Sequence, residues 1–591
     1  MPIHRAKVLL VQLPIPPAGA EPVRGNVPLA AGYLKMLALG AGLGERFEIE
    51  MLEPALANDL GDAALVREIV DRRPDLLGFT CYLWNVERSL WLAEQVKARR
   101  PQTQVLVGGP EATLDNRWVL DHPAVDFAAV GEGEQTFVEL LAALAAGDLA
   151  RPIDGLFVSP RLDGPTHPPA FRQPLPNLNG ISSPYLAGIL DAGQEQMLLL
   201  ETIRGCIFKC KFCYYPKSYD DLYFLSEEKI VANLRHARER GAREVVLLDP
   251  TLNQRKNFAD FVRLLGRENP GRQFTYFGEL RAEGITPEIA GLLAEAGFDE
   301  VEIGLQSIDP AVQELMDRRN NMRAFERGVR AMIEAGLKVK VDLIIGLPGD
   351  TEASVRRGLA YLRDERLYTE LQVFHLAILP GTAFRQEAEA LGLRFQPRPP
   401  YYVLETPTLD MAAMSGLMEE AETSFGVEFD PLPAPRLEFL PADEPGRMLR
   451  VDLDAPLAAL YTPEAQAQAY TLWLKSADFD ARREAAAAQV RQLLAACPFT
   501  TLSVALEPTG DPRRLTARTL EAIRREFYAR PTYLDHFYAV QPGPAKGAKR
   551  QVIVLPEGGA NLGEEMVSEW EEYGEVVGTH LARGIRHGVA L

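Results

Sequence analysis

The stretch Glu201-Thr-Ile-Arg-Gly-Cys206-Ile-Phe-Lys-Cys210-Lys-Phe-Cys213-Tyr-Tyr-Pro216 places three of the chain's five cysteines close together. Five cysteines in 591 residues do not form a disulfide framework. A C-x3-C-x2-C loop supplies three thiolates, one fewer than a closed iron–sulfur cluster normally has. A structural zinc site would need a fourth Cys or His nearby, and none follows within the motif. The spacing therefore predicts a [4Fe–4S] cluster with one iron open to a small molecule.

Apolar runs that alternate with helical patterns surround this motif. They start with MLLLET just before the cysteines and continue through Glu244–Asp249, Phe274–Ala282, Glu300–Ser307, Lys338–Gly349 and Glu370–Thr382. Six strands with intervening helices predict a partial (β/α)6 barrel over residues 195–395. The chemistry of such a barrel belongs at the carboxyl ends of its strands, where the cysteines follow the first one.

Residues 1–150 show the same alternation and predict an α/β fold with a doubly wound parallel sheet, similar to a Rossmann domain. Ligands of such sheets bind beyond the carboxyl ends of the strands. The loops that follow strands are Thr80–Asn85, Gly108–Glu111 and Gly131–Glu134. Residues 151–194 are rich in Pro, Gly and Asn, so we expect a linker there.

The pattern changes after the barrel, and residues 396–591 predict a separate α+β domain without a motif. Helical patterns cover Met411–Phe425, Pro463–Cys497 and Gly563–Arg583, and strand-like runs read MLRVDLDA, TTLSVALEP, HFYAVQPG and QVIVLP. From its position we expect this domain to cap the open side of the barrel. Tyr401 and Tyr402, at the exit of the barrel, are candidates for substrate contact, although a core role is the alternative.

The composition describes an ordinary globular protein: 47% of the residues are hydrophobic and 25% are charged. A net charge of −19 opposes the basic footprint of a nucleic-acid binder. No apolar run is long enough to span a membrane, and the amino terminus lacks the features of a signal peptide. These features, together with reduced cysteines, predict a cytoplasmic protein.

The cysteine motif, with Phe212 before its last cysteine, resembles the signature of the radical S-adenosylmethionine (SAM) superfamily. The later strand ends are similar to that superfamily as well, in Asp249–Asn253, Gly278–Arg281, Gly304–Ser307 and Asp342–Gly349. The resemblance implies that Cys206, Cys210 and Cys213 bind the cluster and that SAM binds its open iron. One-electron reduction then cleaves SAM to a radical that abstracts hydrogen. SAM contacts are implied for Phe212, Asp249, Glu279, Arg281, Gln306 and Ser307.

The first 150 residues resemble the cobalamin-binding domain that precedes the barrel in a large branch of this superfamily. The similar stretches imply a cobalamin site made of Cys81, Tyr82, Leu83, Trp84, Asn85, Gly108, Gly109, Pro110, Glu111, Gly131, Glu132, Gly133 and Glu134. The D-x-H-x-x-G motif of cobalamin mutases is absent, since Asp121-His122 and Asp535-His536 do not fit it. Chemistry alone shows only that glycines in these loops allow close backbone approach, so a domain that binds no corrin is an alternative.

The two resemblances together imply a cobalamin-dependent radical SAM methyltransferase that acts on an unactivated centre of a small-molecule or peptide substrate. An electron donor such as flavodoxin or ferredoxin is implied as a partner. A rearrangement, cyclisation or ring contraction with the same cofactors is the alternative reaction. No catalytic side chain is assigned from the sequence.

Overall fold

The computed structural model describes residues 5–16, 23–162, 164, 168–175, 177–215, 219, 221–429, 446–455, 462–533, 550–556 and 562–577. These residues form three parallel or mostly parallel sheets with helices packed against them. Among the described residues, no helix is long and apolar enough to cross a membrane.

The first sheet has six strands in the order β2-β1-β3-β4-β5-β6. The strands are β1 (Ala6–Gln12), β2 (Phe47–Met51), β3 (Leu76–Thr80), β4 (Gln104–Gly108), β5 (Phe127–Ala129) and β6 (Leu156–Val158). All neighbours are parallel except β5 and β6. The antiparallel edge strand β6 lies in the segment for which a linker was predicted.

Helices cover both faces of this sheet, as a doubly wound fold requires. They are α1 (Leu29–Gly40), α2 (Pro54–Asp59), α3 (Asp62–Arg72), α4 (Val86–Arg99), α5 (Arg117–Leu120) and α6 (Glu134–Ala146). Because the chain turns from β1 to β2 on one side and to β3 on the other, the strand order reverses beside β1. This switch point opens a crevice at the carboxyl edge of the sheet. The predicted doubly wound sheet is confirmed.

The second sheet also has six strands, all parallel and in sequential order. Its strands are β7 (Met197–Leu200), β10 (Glu244–Leu247), β11 (Thr275–Glu279), β12 (Phe298–Gln306), β13 (Lys338–Ile345) and β14 (Glu370–His375), and the hairpin of β8 (Ile203–Arg204) and β9 (Tyr223–Phe224) lies between the first two. Since β7 and β14 remain edges, the sheet is an open, partial barrel, and that prediction is confirmed.

Helices pack on the outer face of the barrel sheet. They are α7 (Glu227–Glu239), α8 (Phe258–Glu268), α9 (Pro287–Ala296), α10 (Pro310–Leu315), α11 (Met322–Glu334), α12 (Glu352–Glu365) and α13 (Ala383–Glu387). After the hairpin of β15 (Arg394–Phe395) and β16 (Val403–Glu405), α14 (Met411–Phe425) buries Met414 and Leu417 in the same core. The barrel core thus includes residues that the sequence assigned to the next domain.

The third sheet corrects the predicted class of the C-terminal domain, which is α/β rather than α+β. Its strands β17 (Met448–Asp452), β18 (Ala469–Ser476), β19 (Thr501–Pro508), β20 (Arg550–Val554) and β21 (Gly574–Val576) are parallel and sequential. The helices are α15 (Arg483–Ala496), α16 (Ala517–Phe527) and α17 (Glu564–Glu571). Parallel neighbours need a crossover helix, which explains the alternation.

Two helix predictions in this domain were wrong in part. The stretch predicted as helical from Pro463 contains β18, a central strand whose run AYTLWLKS is almost entirely buried, with side chains in the cores on both faces of the sheet. Burial on both faces removes the alternating pattern by which strands are recognised. The helix predicted near Gly563–Arg583 ends at Glu571 and β21 follows. The predicted strand HFYAVQPG lies outside the described residues, as do the positions from 578 onwards.

The third sheet and its helices contact the N-terminal domain in the described residues, whereas α14, which the sequence also assigned to the C-terminal domain, packs in the barrel core. The backbone N–H of Gly61 donates to the carbonyl of Gln466 at 2.8 Å, and the N–H of Phe499 donates to the Asp62 carboxylate at 2.7 Å. A Cβ at Gly61 would lie 2.6 Å from the Gln466 carbonyl oxygen, so a glycine is required there. The third domain therefore sits behind α3.

Candidate active site

Residues 205–215, here called the cysteine loop, follow β7 and β8 at the carboxyl edge of the barrel. Its first residue, Gly205, has φ +93°, and a Cβ there would collide with the carbonyl oxygen of Asp221. Only glycine fits this position, which turns the chain into the loop. The side chain of Asp249, at the end of β10, accepts hydrogen bonds from the N–H groups of Thr202 and Ile203 at 2.7 and 2.9 Å. These contacts fix the strand end from which the loop starts.

The thiols of Cys206, Cys210 and Cys213 line one cavity of about 140 Å³, here called the cysteine-loop cavity. All three are free, and Cys210 is buried. Burial, and then its neighbouring charged groups, raise the pKa of Cys213 to about 12. A thiol in such a place ionises only when a strong cation replaces its proton, as a metal does. Among the described residues, no set of three or more His, Cys, Asp or Glu side chains is placed to hold a single metal ion. This does not conflict with a cluster, because the thiolates of a cluster bind separate iron atoms.

Carboxylates from three neighbouring strands also line this cavity and are here called the acidic wall. Glu279 on β11, Glu302 on β12 and Asp342 on β13 all line it. Burial, and then mutual repulsion, raise the pKa of Glu279 to about 7 and that of Asp342 to about 9. The pKa of Glu302 is raised mainly by burial as well. Asp342 is buried, and three carboxylates that line one cavity favour a cationic ligand.

Polar atoms in the cysteine-loop cavity lack hydrogen-bond partners. Among the described residues these are Oδ1 of Asp342, Oε1 of Gln306 and Nε of Arg318, all buried. One Nη of Arg318 lies 3.8 Å from the sulfur of Cys210. Buried polar groups are nearly always paired, so these atoms point to a polar ligand with both cationic and anionic groups.

The structure brings four of the six predicted SAM contacts to this cavity: Phe212, Glu279, Arg281 and Gln306. The guanidinium of Arg281 also lies 4.2 Å from the ring centroid of Phe208. Asp249 and Ser307 do not line the cavity, since Asp249 holds the β7 end and the Ser307 hydroxyl accepts from the N–H of Asp309 at 3.2 Å.

Sequence reasoning missed Glu302, Arg318 and Asp342. The two carboxylates face the lumen because they alternate with core positions such as Val301 and Val341. This alternation is a signal that could have found them. Arg318 follows a short helix and carries no such signal.

A second cavity, here called the strand-end cavity, lies in the crevice of the N-terminal sheet and has a volume of about 230 Å³. Seven of the predicted cobalamin contacts line it: Tyr82, Gly108, Gly109, Gly131, Glu132, Gly133 and Glu134. Gly109 has φ +96°, and a Cβ there would lie 2.8 Å from the Cys81 carbonyl oxygen. A mostly apolar wall with glycine backbones suits a flat, bulky group.

The other predicted contacts have different neighbours. Cys81 is fully buried in the domain core, which raises its pKa, and it does not line the cavity. The side chain of Asn85 accepts from the N–H of Tyr82 at 2.8 Å and donates to the carbonyl of Leu13 at 2.9 Å. Leu83, Pro110 and Glu111 line neither cavity of this domain, and Glu111 is buried in a hydrogen-bond network with Tyr401.

A third cavity of about 380 Å³ lies between the N-terminal domain and the barrel and is called the interdomain cavity. Trp84 lines it and stacks on Tyr82 with ring centroids 4.6 Å apart. Leu199 and Leu248 contribute from the ends of β7 and β10. Tyr401 and Tyr402 do not line it, so the structure gives no support to their predicted substrate contact.

Arg204, two residues before Cys206, joins the barrel to the N-terminal domain. Its guanidinium pairs with Glu132 at 2.9 Å, with Glu134 at 2.6 Å and with Glu201 at 2.9 Å. Burial raises the pKa of Glu201 to about 6, although Arg204 opposes that shift. Glu134, Glu201 and Arg204 line both the strand-end and the interdomain cavity, so the two cavities share a wall.

Two family models match the chain. The model of the radical SAM superfamily matches residues 200–362, and that of the B12 binding domain matches residues 23–141. The first range contains the cysteine loop and the carboxylates of β11, β12 and β13. The second contains the loops around the strand-end cavity.

Two relatives are named as methyltransferases. The cobalamin-dependent radical SAM methyltransferase TokK of Streptomyces tokunonensis is 28% identical over 57% of this chain and 52% of its own length. The 2-(S-pantetheinyl)-carbapenam-3-carboxylate methyltransferase of Streptantibioticus cattleyicolor is 26% identical over 67% of this chain and 59% of its own. The chain thus spans little more than half the length of these relatives.

A solved structure shares the fold. The radical S-adenosylmethionine methyltransferase TsrM from Kitasatospora setae, with tryptophan and a SAM analogue bound, superposes with a TM-score of 0.56 and 19% identity. The match covers 71% of this chain and 89% of that one.

Proposed function

We propose that this chain, which joins a B12-binding domain to a radical SAM domain, is a cobalamin-dependent radical SAM methyltransferase. The observation that carries the proposal is the shared wall between the two halves of the site. Glu134 of the B12-binding domain and Arg204 of the cysteine-bearing segment line the same two cavities. The names of the relatives support methyl transfer over a rearrangement or cyclisation.

The residues of the cysteine loop fit a [4Fe–4S] cluster that SAM completes. Cys206, Cys210 and Cys213 would hold three irons. Glu279, Glu302 and Asp342 offer anionic partners for the ammonium and sulfonium groups of SAM, and Arg318 offers a cation for its carboxylate. The unpartnered oxygen of Gln306 can accept from a ribose hydroxyl. When bound, cluster, SAM and cobalamin supply a carbon radical and a transferable methyl group.

The loops around the strand-end cavity fit cobalamin. Glycines at 108, 109, 131 and 133 leave room beside the strand ends. Leu10, Leu106 and Phe137 give the cavity an apolar wall, and the ion pairs of Arg204 form another side. Trp84 and Tyr82 extend this surface as a flat, stacked pair into the interdomain cavity. Apolar and aromatic surface of this kind excludes water, as a radical reaction requires.

The interdomain cavity is the space that we assign to a small-molecule or peptide substrate. It opens between the aromatic pair and the ends of β7 and β10, so a bound substrate meets both halves of the site. An electron donor of the flavodoxin or ferredoxin type would dock at the exposed side of the cysteine loop. Ile207 there is 55% exposed and Lys209 is exposed beside it, which suits an acidic protein.

The proposal is tested with protein reconstituted with iron, sulfide and hydroxocobalamin under anaerobic conditions. We expect corrin absorption to co-elute with the protein, and we expect SAM and a reductant to yield 5′-deoxyadenosine. Candidate substrates should gain a methyl group, detected by mass spectrometry with deuterated methyl SAM. Failure to bind corrin contradicts the cobalamin assignment, and a substrate changed without added methyl mass contradicts methyl transfer.

The raised pKa values in the cysteine-loop cavity predict how SAM binding depends on pH. Cationic groups favour the ionised carboxylates, so SAM binding should release protons. Because the pKa of Glu279 is about 7, affinity for SAM should increase as pH rises from about 6 to about 8. Glu279→Gln should weaken binding and flatten that dependence, as isothermal titration calorimetry in buffers of different ionisation enthalpy can show.

Glu300→Gln is the matched control for this measurement. Glu300 lies on β12 two residues before Glu302, but it pairs with Lys340 at 2.6 Å and does not line the cavity. Glu300 does not contribute to the raised pKa of Glu279, so its replacement should leave the rise in affinity between about pH 6 and about pH 8 in place. An affinity that falls with rising pH in the unmodified protein would contradict the assignment of these carboxylates to SAM.

A further inference from the structure

A buried tyrosine joins the end of the barrel to the N-terminal domain. The phenol of Tyr401, with no exposed surface, donates to the Glu111 carboxylate at 2.6 Å. The same oxygen accepts from the amide of Asn116 at 3.3 Å and from the indole N–H of Trp118 at 3.1 Å. The partners of its phenol thus come from the N-terminal domain, whereas its backbone pairs with Ile378 and Arg398.

Further contacts join the same two segments beside this tyrosine. The guanidinium of Arg385, on α13, pairs with Asp115 at 3.3 Å and lies 5.0 Å from the ring centroid of Tyr401. The backbone N–H of Gly381 donates to Asp115 at 2.8 Å. Asp115 thus contacts both a backbone N–H and a side chain of the other segment. Two contacts of this kind hold the two segments in one orientation, whereas a single contact would let them rotate about it.

Each side of this contact leads to one half of the proposed site. On the N-terminal side, Glu111 lies in the loop of Gly108 and Gly109, which line the strand-end cavity. On the barrel side, the N–H of Phe384 in α13 donates to the carbonyl of Lys211 at 3.0 Å. The Lys211 ammonium pairs with Glu387 of α13 at 2.7 Å. Lys211 lies between Cys210 and Cys213.

We propose that Tyr401 is a positioning residue, which acts through Glu111 to hold the strand-end cavity at a fixed distance from the cysteine loop. The inference rests on the proposed function, because the distance matters only if one cavity holds cobalamin and the loop holds the cluster. A buried carboxylate keeps its place only while donors surround it. Tyr401 supplies one such donor, and its loss leaves the β4 loop held to this side only by the contacts of Asp115 with Arg385 and Gly381.

The test uses Tyr401→Phe in the reconstituted full chain, because this change removes one oxygen and leaves the packing of the ring. We expect the iron, SAM-binding and corrin contents to stay unchanged. We expect methylated product per 5′-deoxyadenosine to fall at least about fivefold, since displacements near 1 Å are costly in oriented reactions. Pulsed electron–electron double resonance between the reduced cluster and cobalt(II) should show a broadened distance distribution.

Tyr276→Phe is the matched control. Tyr276 is equally buried and its phenol donates to the carbonyl of Leu265 at 3.0 Å, within the barrel alone. Its replacement should leave both the product ratio and the distance distribution unchanged. Glu111→Gln combined with Tyr401→Phe should be no worse than the more damaging single change, because both act through one contact.

The outcomes separate this inference from the proposed function. If the unmodified protein shows no coupled cluster and cobalt signals, the proposed function fails. If those signals are present and Tyr401→Phe alters neither the distance distribution nor the product ratio, the positioning role is overturned. Additive effects of the two substitutions would likewise overturn a role exerted through Glu111.

Discussion

Replacing Cys210 by alanine is expected to abolish formation of 5′-deoxyadenosine and of product. Cys210 is the most buried thiol of the triplet, and its sulfur lies 3.8 Å from an Nη of Arg318. The substitution therefore removes the cluster ligand that is best shielded from solvent. The two thiolates that remain are too few to retain a [4Fe–4S] cluster, so iron is lost. Iron and sulfide content, and electron paramagnetic resonance after reduction, measure the loss directly. Corrin binding should persist, because the strand-end cavity contains none of the three cysteines.

Cys497→Ala is the matched control for this experiment. Cys497 is a fully buried thiol in the C-terminal domain, far from the cysteine loop in the fold. The same atom is removed, and cluster content should equal that of the unmodified protein. A Cys210→Ala protein that retains its full iron content and still cleaves SAM would contradict the assignment of the triplet to the cluster.

The parts of the site that the sequence predicts are those encoded by short, local patterns. The three cysteines lie on one loop, and the glycines at 108, 109, 131 and 133 follow strands whose apolar runs are easily recognised. The strands themselves are predictable because each is a short buried run between polar turns. Local spacing and strand ends therefore sufficed to find the loops that line the cysteine-loop cavity and the strand-end cavity.

The acidic wall could not be predicted in the same way. Glu279, Glu302 and Asp342 come from three separate strands, and they meet only because the register pairs Glu279 with Glu302 and Gly304 with Asp342. A shift by one residue would turn each carboxylate out of the lumen. The register depends on the packing of the whole barrel.

The contacts between domains were also beyond local patterns. Tyr401 meets Glu111 across 290 positions of the chain, and Arg204 meets Glu132 across 72. The fold class of the C-terminal domain was missed for a related reason. Nearly every side chain of β18 is buried, so the strand lacks the alternation of apolar and polar residues by which a strand is recognised. Long-range partners and buried strands are decided by the tertiary fold rather than by propensity.

Replacing Arg204 by methionine is expected to have the second large effect. The change keeps an unbranched, apolar stem and removes the guanidinium charge that Glu132, Glu134 and Glu201 share. Arg204 and Glu132 are both buried, so the carboxylates lose their counter-ion in a place that water hardly reaches. Breaking a buried pair in this way typically costs about 3–5 kcal/mol. The midpoint of chemical denaturation, followed by tryptophan fluorescence and by release of corrin, should fall accordingly.

The pH dependence of the loss identifies its cause. A carboxyl whose folded pKa is raised stabilises the fold below its unfolded pKa, and that stability is lost as pH rises through the folded value. For Glu201 the unfolded pKa is 4.5 and the folded pKa is about 6. Arg204 holds the folded pKa down, so removal of Arg204 raises the folded pKa further. The stability that the Arg204→Met protein loses relative to the unmodified protein should therefore be larger at pH 8 than near pH 5.

Arg235→Met is the control, because it removes an exposed partner of Glu268 and should cause no measurable change in stability at either pH. An equal deficit at both pH values would mean that lost packing, rather than uncompensated charge, destabilises the variant.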